Sequence, residues 1–155
     1  MAAKTALESV QSCWDRISHS SPVYGFFFAD IRLVSATHGS MVAELDVIPN
    51  HLNSKGTLHG SVSATIVDWA GGMAIASTGL ERTGLSTDIH VSYVSTAKAG
   101  DVLTIEGHVS KVGRNMAFTT VTISKGKADS KTVVAHGTHT KSALADCIYM
   151  AWGEC

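Results

Sequence analysis

The feature that most constrains this chain is an apolar segment that opens at Gly60, within the stretch 53–78. Its large apolar residues recur at spacings of three and four, which predicts one buried face of a long helix: Val62, Ile66, Trp69 and Met73. A second face carries mostly small residues and one carboxylate: Ser61, Ala64, Thr65, Asp68, Gly71, Gly72 and Ile75. Glycines inside a helix cost about 1 kcal/mol each against alanine, and an unpaired buried carboxylate is also costly. We interpret this second face as a functional site that another segment approaches closely.

The spacing of two residues on this helix constrains the site further. Gly60 falls in the first turn, where free backbone N–H groups and the positive end of the helix dipole can bind a carbonyl oxygen. Asp68 follows eight residues later, roughly 12 Å along the axis. One small reacting centre does not reach both residues of the same helix. If both belong to one site, the second helix comes from another copy of the chain, so we expect a homodimer with sites at the interface.

Composition excludes several function classes. The 155 residues are 45% hydrophobic and 16% charged with a formal net charge of −1, so no basic surplus exists to bind a nucleic acid. No apolar run is long enough to span a membrane. The three cysteines, Cys13, Cys147 and Cys155, are widely spaced and form neither a disulfide framework nor a zinc motif. We expect a cytoplasmic protein, with a mitochondrial or peroxisomal location as the alternative.

The remaining periodicities predict an α+β fold. An amphipathic helix is expected over residues 3–18. A turn follows at Tyr24 and residues 26–28, whose aromatic side chains are expected to pack as ordinary core, with the lining of an apolar cavity as the alternative. Alternating residues predict strands at 31–36, 40–48, 85–95, 101–112, 115–125 and 131–142. With one long helix to cover them, the strands form a curved antiparallel sheet wrapped around that central helix. A single domain over residues 1–155 is predicted, with a tail at 143–155 of uncertain attachment.

The ordered motif Asn53-x-x-Gly56-Thr57-Leu58-His59-Gly60, followed by Asp68, resembles the hotdog-fold thioesterases. Within them the chain is most similar to the group of the phenylacetate-pathway thioesterases and thioesterase superfamily member 2. The resemblance runs over about residues 30–142. It is also carried by the segments 86–89, 113–118 and 139–141, and by Tyr93.

This resemblance implies an activity and a set of roles. The family hydrolyses acyl-coenzyme A thioesters without a metal or cofactor, as dimers that often pair into tetramers. In it, the Gly60 N–H binds the thioester oxygen, Asn53 binds nearby, and Asp68 of the other subunit activates water or attacks directly. Ser86 holds the water. Proline is common in the family where Ser95 and Thr96 stand here, which affects only a turn, and the segment 143–155 has no counterpart.

Other polar residues admit more than one interpretation. His59 is a candidate base, but a residue at a helix start equally holds the loop, and we favour that positioning role. Candidate contacts for coenzyme A are the strand-end segment and nearby cations: Lys98, Lys111, Gly113, Arg114, Asn115, Met116 and Lys141. His136 and His139 lie at odd separation in one strand and face opposite sides, so a metal site is disfavoured. No Gly-x-Ser-x-Gly motif supports a serine hydrolase.

Two rival functions stay open. The first is a hydratase or dehydratase that acts on acyl thioesters on the same fold and uses a histidine with an acidic residue, here His59 with Asp68. The proline-rich loop typical of those dehydratases is missing. The second rival is a non-catalytic module that binds acyl-coenzyme A.

Overall fold

A computed structural model describes residues 4–142, which form six antiparallel strands and one long helix with two shorter helices before them. The helices are α1 (Ala6–Ser18), α2 (Pro22–Phe27) and α3 (Gly60–Ala76). The strands are β1 (Arg32–Thr37), β2 (Ser40–Asp46), β3 (Leu85–Tyr93), β4 (Val102–Val112), β5 (Met116–Lys125) and β6 (Thr132–Ser142). Short 3-10 helices lie at Pro49–His51 and Ala128–Ser130. The predicted α+β class and central helix are confirmed, whereas the predicted tail lies outside the described residues.

Helix α3 forms the centre of the core. Its N-cap is His59, whose side chain accepts a hydrogen bond from the Ser61 N–H. The face predicted to be buried is buried: Val62, Ile66, Trp69 and Met73 all lie in the hydrophobic core. Inward residues of β2, β4 and β5, among them Met41, Leu103 and Ile123, complete that core.

The order of strands in the sheet is β1-β2-β4-β5-β6-β3, with every neighbouring pair antiparallel. Strand β3 follows α3 in sequence and joins the sheet at its edge, where among the described strands it pairs with β6 alone. Its other edge therefore carries backbone N–H and C=O groups that no strand within residues 4–142 covers. Seven of its nine residues are exposed, which is unusual for a long strand beside the main helix.

The segment after α1 differs from the prediction. A turn was expected at Tyr24 and residues 26–28, but the chain forms the helix α2, with Ser21 as N-cap and Pro22 at the first helical position. At six residues, α2 is too short for its apolar residues to show a helical period. Of the residues expected in the core, Phe28 is buried and the ring of Tyr24 packs against the core with its hydroxyl reaching Asp68, whereas Phe26 is exposed.

The small-residue face of α3 divides into two parts. Ser61 is exposed and Ala64, Thr65 and Asp68 are half-buried, whereas Gly71, Gly72 and Ile75 are buried. The close approach predicted at the glycines occurs at Gly71, where a Cβ atom would lie 2.7 Å from His139 Nδ1 and 2.7 Å from Thr119 Oγ1. The approaching groups are thus side chains of the sheet rather than another backbone. At Gly72 a Cβ would meet only Thr83, at an ordinary 3.6 Å.

These two glycines give a matched pair of substitutions. We expect Gly71→Ala to lower the free energy of unfolding by about 1–3 kcal/mol, because His139 and Thr119 must shift inside a packed core. Gly72→Ala has room for its methyl group and should raise that free energy by up to about 1 kcal/mol through helix propensity. Urea unfolding of both variants measures the difference. Equal effects would show that the approach to Gly71 is not a tight one.

Candidate active site

Asp68 is the centre of the candidate site. It lies in the third turn of α3, and its side chain is 29% exposed. The Tyr24 hydroxyl, from α2, donates a hydrogen bond to Oδ2 at 2.5 Å, and the Ser86 hydroxyl, from β3, donates to Oδ1 at 3.1 Å. Each carboxylate oxygen therefore has one hydroxyl donor, and a second lone pair on each oxygen stays available. The two bonds offset the cost of removing this charge from water.

His139 of β6 extends this network behind Ser86. Its ring is fully buried, with Nε2 at 2.9 Å from Ser86 Oγ and 3.5 Å from Asp68 Oδ1. Because Ser86 donates its single proton to Asp68, its oxygen is free to accept one from His139. This arrangement places the imidazole proton on Nε2 and orders the chain of donors from His139 through Ser86 to Asp68.

Burial sets the protonation of the surrounding groups. It lowers the pKa of His139, as does the nearby charge of Lys141, while the Asp68 carboxylate acts in the opposite direction. Burial also lowers the pKa of Lys141, again opposed by Asp68. For Tyr24, burial and the hydrogen bond to Asp68 both raise the pKa, so the phenol stays a donor at neutral pH.

A cleft of about 450 Å³ opens beside Asp68. It lies between α2, α3 and β3, and its lining is apolar or small except for the carboxylate: Ser21, Val23, Tyr24, Ala64, Thr65, Asp68 and Ile89. Ile89 is 39% exposed in this cleft. A carboxylate at the edge of an apolar cleft can bind and activate water next to an apolar substrate.

Gly60 offers a second polar group, at the start of the same helix. Its N–H precedes the first intrahelical hydrogen bonds and has no acceptor among residues 4–142. The Tyr93 hydroxyl donates to the Gly60 carbonyl at 3.1 Å, and a Cβ at position 60 would lie 3.3 Å from the Tyr93 ring. Helix α3 runs without a break past Asp68, so the predicted separation of roughly 12 Å between the two residues holds within one chain.

Asn53 and His59 both hold the loop that leads into α3. Asn53 Oδ1 accepts from the backbone N–H groups of Lys55 and Thr57, and Nδ2 donates to Thr57 Oγ1. One amide proton of Asn53 is left for a ligand. His59 is exposed and caps the helix, in keeping with the positioning role that the sequence favours. Their assignments to catalysis stay predictions.

The residues predicted to contact coenzyme A separate into two environments. Lys111, Arg114 and Asn115 are exposed around the turn from β4 to β5, which the Gly113 N–H closes by donating to the Met116 carbonyl at 2.8 Å. This turn lies at the same end of the sheet as Ser86, because Met116 pairs with Ser142, which pairs with Leu85. The turn and Ser86 are separated across the sheet by two strand spacings, which is about 10 Å.

The two other predicted cations lie elsewhere. Lys98 is exposed in the loop after β3. Lys141 is only 7% exposed and shares the inner face of the sheet with its cross-strand partner Ala117, so its ammonium group points towards the core around Asp68 rather than towards the turn.

The described residues contain neither a cluster of metal-binding side chains nor a membrane-spanning helix. Within residues 4–142 no three side chains of the metal-binding types lie together, and His136 and His139 face opposite sides of the sheet. None of the three helices in that range is long and apolar enough to cross a membrane.

Two site residues escaped the sequence analysis. Tyr24 was assigned to core because nothing in a six-residue helix indicates which way its hydroxyl points. His139 was considered as a metal ligand and as part of the segment 139–141 that carries the resemblance, but was given no role in the site. The available signal was its place on the inner face of β6, where a fully buried imidazole needs polar partners.

The lowered pKa of His139 predicts how stability depends on pH. The native ring stays neutral at a pH where the unfolded histidine, at about 6.5, already binds a proton. The free energy of unfolding should therefore be highest above that pH and fall as the pH is lowered through it. Replacing His139 by Gln keeps a donor towards Ser86 and removes this titration, so urea unfolding at two pH values should show a smaller loss. An equal loss in both proteins would contradict the account, since the other histidines are shared.

Known proteins of similar sequence identify the family of this chain. Residues 55–131 match the model of the thioesterase superfamily. Human acyl-coenzyme A thioesterase 13 is 42% identical over 111 residues, which cover 72% of this chain and 78% of that protein.

Solved structures give the same result. Zebra fish thioesterase superfamily member 2 superposes with a TM-score of 0.78 at 33% identity, covering 90% of this chain and 98% of the other. A hypothetical thioesterase from Streptococcus pneumoniae, solved with coenzyme A, has a TM-score of 0.68 at 26% identity and covers 75% and 90% of the two chains. The hotdog fold expected from the motif is confirmed, and the chain belongs to the thioesterase superfamily.

Proposed function

We propose that this chain hydrolyses an acyl-coenzyme A thioester to a free acid and coenzyme A. One observation carries the proposal: Asp68 is held by two hydroxyl donors beside an apolar cleft, on the helix that begins with the free Gly60 N–H. Such a carboxylate can take a proton from water, and the cleft suits the apolar part of an acyl group. The relative named acyl-coenzyme A thioesterase 13 and the Streptococcus pneumoniae structure solved with coenzyme A support this substrate class.

The reaction follows from the positions of these groups. Asp68 takes a proton from water as the water oxygen attacks the thioester carbon, and the carbonyl oxygen becomes an oxyanion. The Gly60 N–H binds that oxyanion at the helix N-terminus, a contact of a kind that contributes on the order of 10²–10³ in rate. Collapse of the intermediate breaks the carbon–sulfur bond, and the proton on Asp68 passes to the departing thiolate. Ser86 orients the water, and Asn53 binds beside the thioester.

The site needs two copies of the chain, because Gly60 and Asp68 lie too far apart on one helix. The uncovered edge of β3 supports a homodimer in which the two β3 strands pair and the sheets become continuous. Exposed apolar side chains flank that edge, with Tyr93 59% exposed and Ile89 facing the cleft. In such a dimer the start of α3 from one copy meets Asp68 of the other. Pairing of two such dimers into a tetramer would leave this site unchanged.

Coenzyme A would extend from the site towards the turn between β4 and β5. Lys111 and Arg114 are exposed there and can meet its phosphates, while the turn amides near Asn115 can bind pantetheine. The proposed reaction takes its base from Asp68 and its oxyanion donor from Gly60, so it needs no cofactor or metal, and coenzyme A arrives as part of the substrate. A role in lipid metabolism in the cytoplasm fits this chemistry, and the free thiol of buried Cys13 suits a reducing compartment.

The assignment of Asp68 is tested by Asp68→Asn, which keeps the shape of the side chain and removes the base. We expect kcat for release of free thiol from acyl-coenzyme A to fall at least about 10²-fold, with an unchanged melting temperature. Asp129→Asn, an exposed carboxylate in the short helix before β6, is the matched control and should keep wild-type turnover. A folded Asp68→Asn protein with near wild-type kcat would rule out the assignment.

The same assay separates the rival activities. Thiol release measures hydrolysis, whereas hydration of an enoyl thioester consumes the double bond and leaves the thioester intact. Hydration without thiol release would make the protein a hydratase. Binding of acyl-coenzyme A with no turnover of either kind would make it a binding module.

A further inference from the structure

We propose that Tyr24 is a positioning residue of this reaction, whose hydroxyl fixes the orientation of the Asp68 carboxylate through their hydrogen bond. The expected loss of activity rests on the proposed function. The contact between Tyr24 and Asp68 depends only on how α2 packs beside α3.

Two hydroxyl groups determine how Asp68 is oriented. The Tyr24 hydroxyl binds Oδ2 at 2.5 Å, and Ser86 binds Oδ1 at 3.1 Å from the opposite element, β3. Donors on both oxygens prevent the carboxylate from rotating about the Cβ–Cγ bond. With Ser86 alone, Oδ2 would be free to turn into the cleft and exchange places with Oδ1. Tyr24 thus decides which lone pair faces the reacting water.

The ring of Tyr24 is itself held by aromatic packing. It stacks on Phe28 with centroids 5.8 Å apart and planes 23° apart, and it lies 6.2 Å from Trp14 of α1. Trp14 in turn packs edge-on against the buried Trp69 of α3, at 5.6 Å. The hydroxyl is therefore aimed at Asp68 by contacts that belong to the hydrophobic core, and its placement costs little extra entropy when substrate binds.

The direction of the hydrogen bond follows from the protonation of Tyr24. Burial and the neighbouring carboxylate raise the pKa of Tyr24, so the phenol donates and does not accept. The hydroxyl therefore leaves Oδ2 as the acceptor, and its loss removes a contact that fixes the orientation of the carboxylate. The other titratable groups around Asp68 are His139 and Lys141 on β6, and Cys13 on α1 lies near Tyr24 and Lys141. Removing the hydroxyl leaves all three of these side chains in place.

This residue comes from a part of the chain that the family motif does not include. Tyr24 precedes both the region of resemblance at 30–142 and the matched segment 55–131. The residues that bind the thioester follow Asn53, whereas the contact that orients the base is supplied by the N-terminal segment. The segment before β1 therefore contributes to the site as well as covering the core.

The test compares two substitutions of Tyr24 that both remove its hydroxyl. Tyr24→Phe removes the hydroxyl and keeps the stacked ring, whereas Tyr24→Leu removes both. We expect both variants to lose about tenfold in kcat for thioester hydrolysis, the size typical for a hydrogen bond to a charged group. KM should change by less than about twofold, because the contact orients the base and does not bind the substrate. Only Tyr24→Leu should show a large drop in melting temperature.

A second measurement needs no substrate. In protein labelled with ¹³C at aspartate carboxyl carbons, the Asp68 signal is identified by its loss in Asp68→Asn. At neutral pH the chemical shift of this signal should change in Tyr24→Phe, because the carboxylate loses its donor at Oδ2. An unchanged chemical shift, or a kcat in Tyr24→Phe within about twofold of wild type, would overturn the proposal. If wild-type protein hydrolyses no thioester while the chemical shift still changes, the proposed function fails and the hydrogen bond from Tyr24 to Asp68 stands.

Discussion

The structure depends on one carboxylate kept at the surface of an apolar helix. Asp68 would cost several kcal/mol there without partners, and three surrounding elements supply them or face it: α2 with Tyr24, β3 with Ser86 and β6 with His139. The inner face of β6 approaches α3 closely because position 71 is glycine. The packing of the sheet around the helix and the chemistry of the site are therefore consequences of the same contacts.

A second constraint is the rigidity of α3. A 17-residue helix fixes Gly60 and Asp68 on one axis, and no side-chain movement brings the Gly60 N–H to a thioester beside Asp68 of the same chain. The uncovered edge of β3 lies next to both residues, through Ser86 at one end and Tyr93 at the other. In the proposed homodimer, this one surface would provide both a strand to pair and a half-site to complete, which would link dimer formation to activity.

Much of this could be predicted from the sequence because it depends on long periodic patterns. The apolar period of α3 and the alternation of the strands identify the elements, and only the ends of the strands differ by a few residues. The site was accessible where an unusual residue stood in a regular pattern, as Asp68 does. Tyr24 and His139 could not be placed in the site, because their roles depend on where a short helix and a sheet face meet α3. Lys141 looked like a surface cation for the same reason.

Co-expression of Asp68→Asn with Gly60→Pro tests most directly whether one site is shared by two chains. Proline removes the N–H and suits the first helical position, since His59 before it has extended backbone angles. Gly60→Ala, which adds a Cβ but keeps the N–H, controls for contact with Tyr93. Asp68→Asn and Gly60→Pro should each be folded and inactive alone, whereas Gly60→Ala should be folded and active. A mixed dimer has one site with both lesions and one with neither, and random mixing makes half the dimers mixed, so about a quarter of wild-type activity should return. Verified mixed dimers without activity would contradict the account.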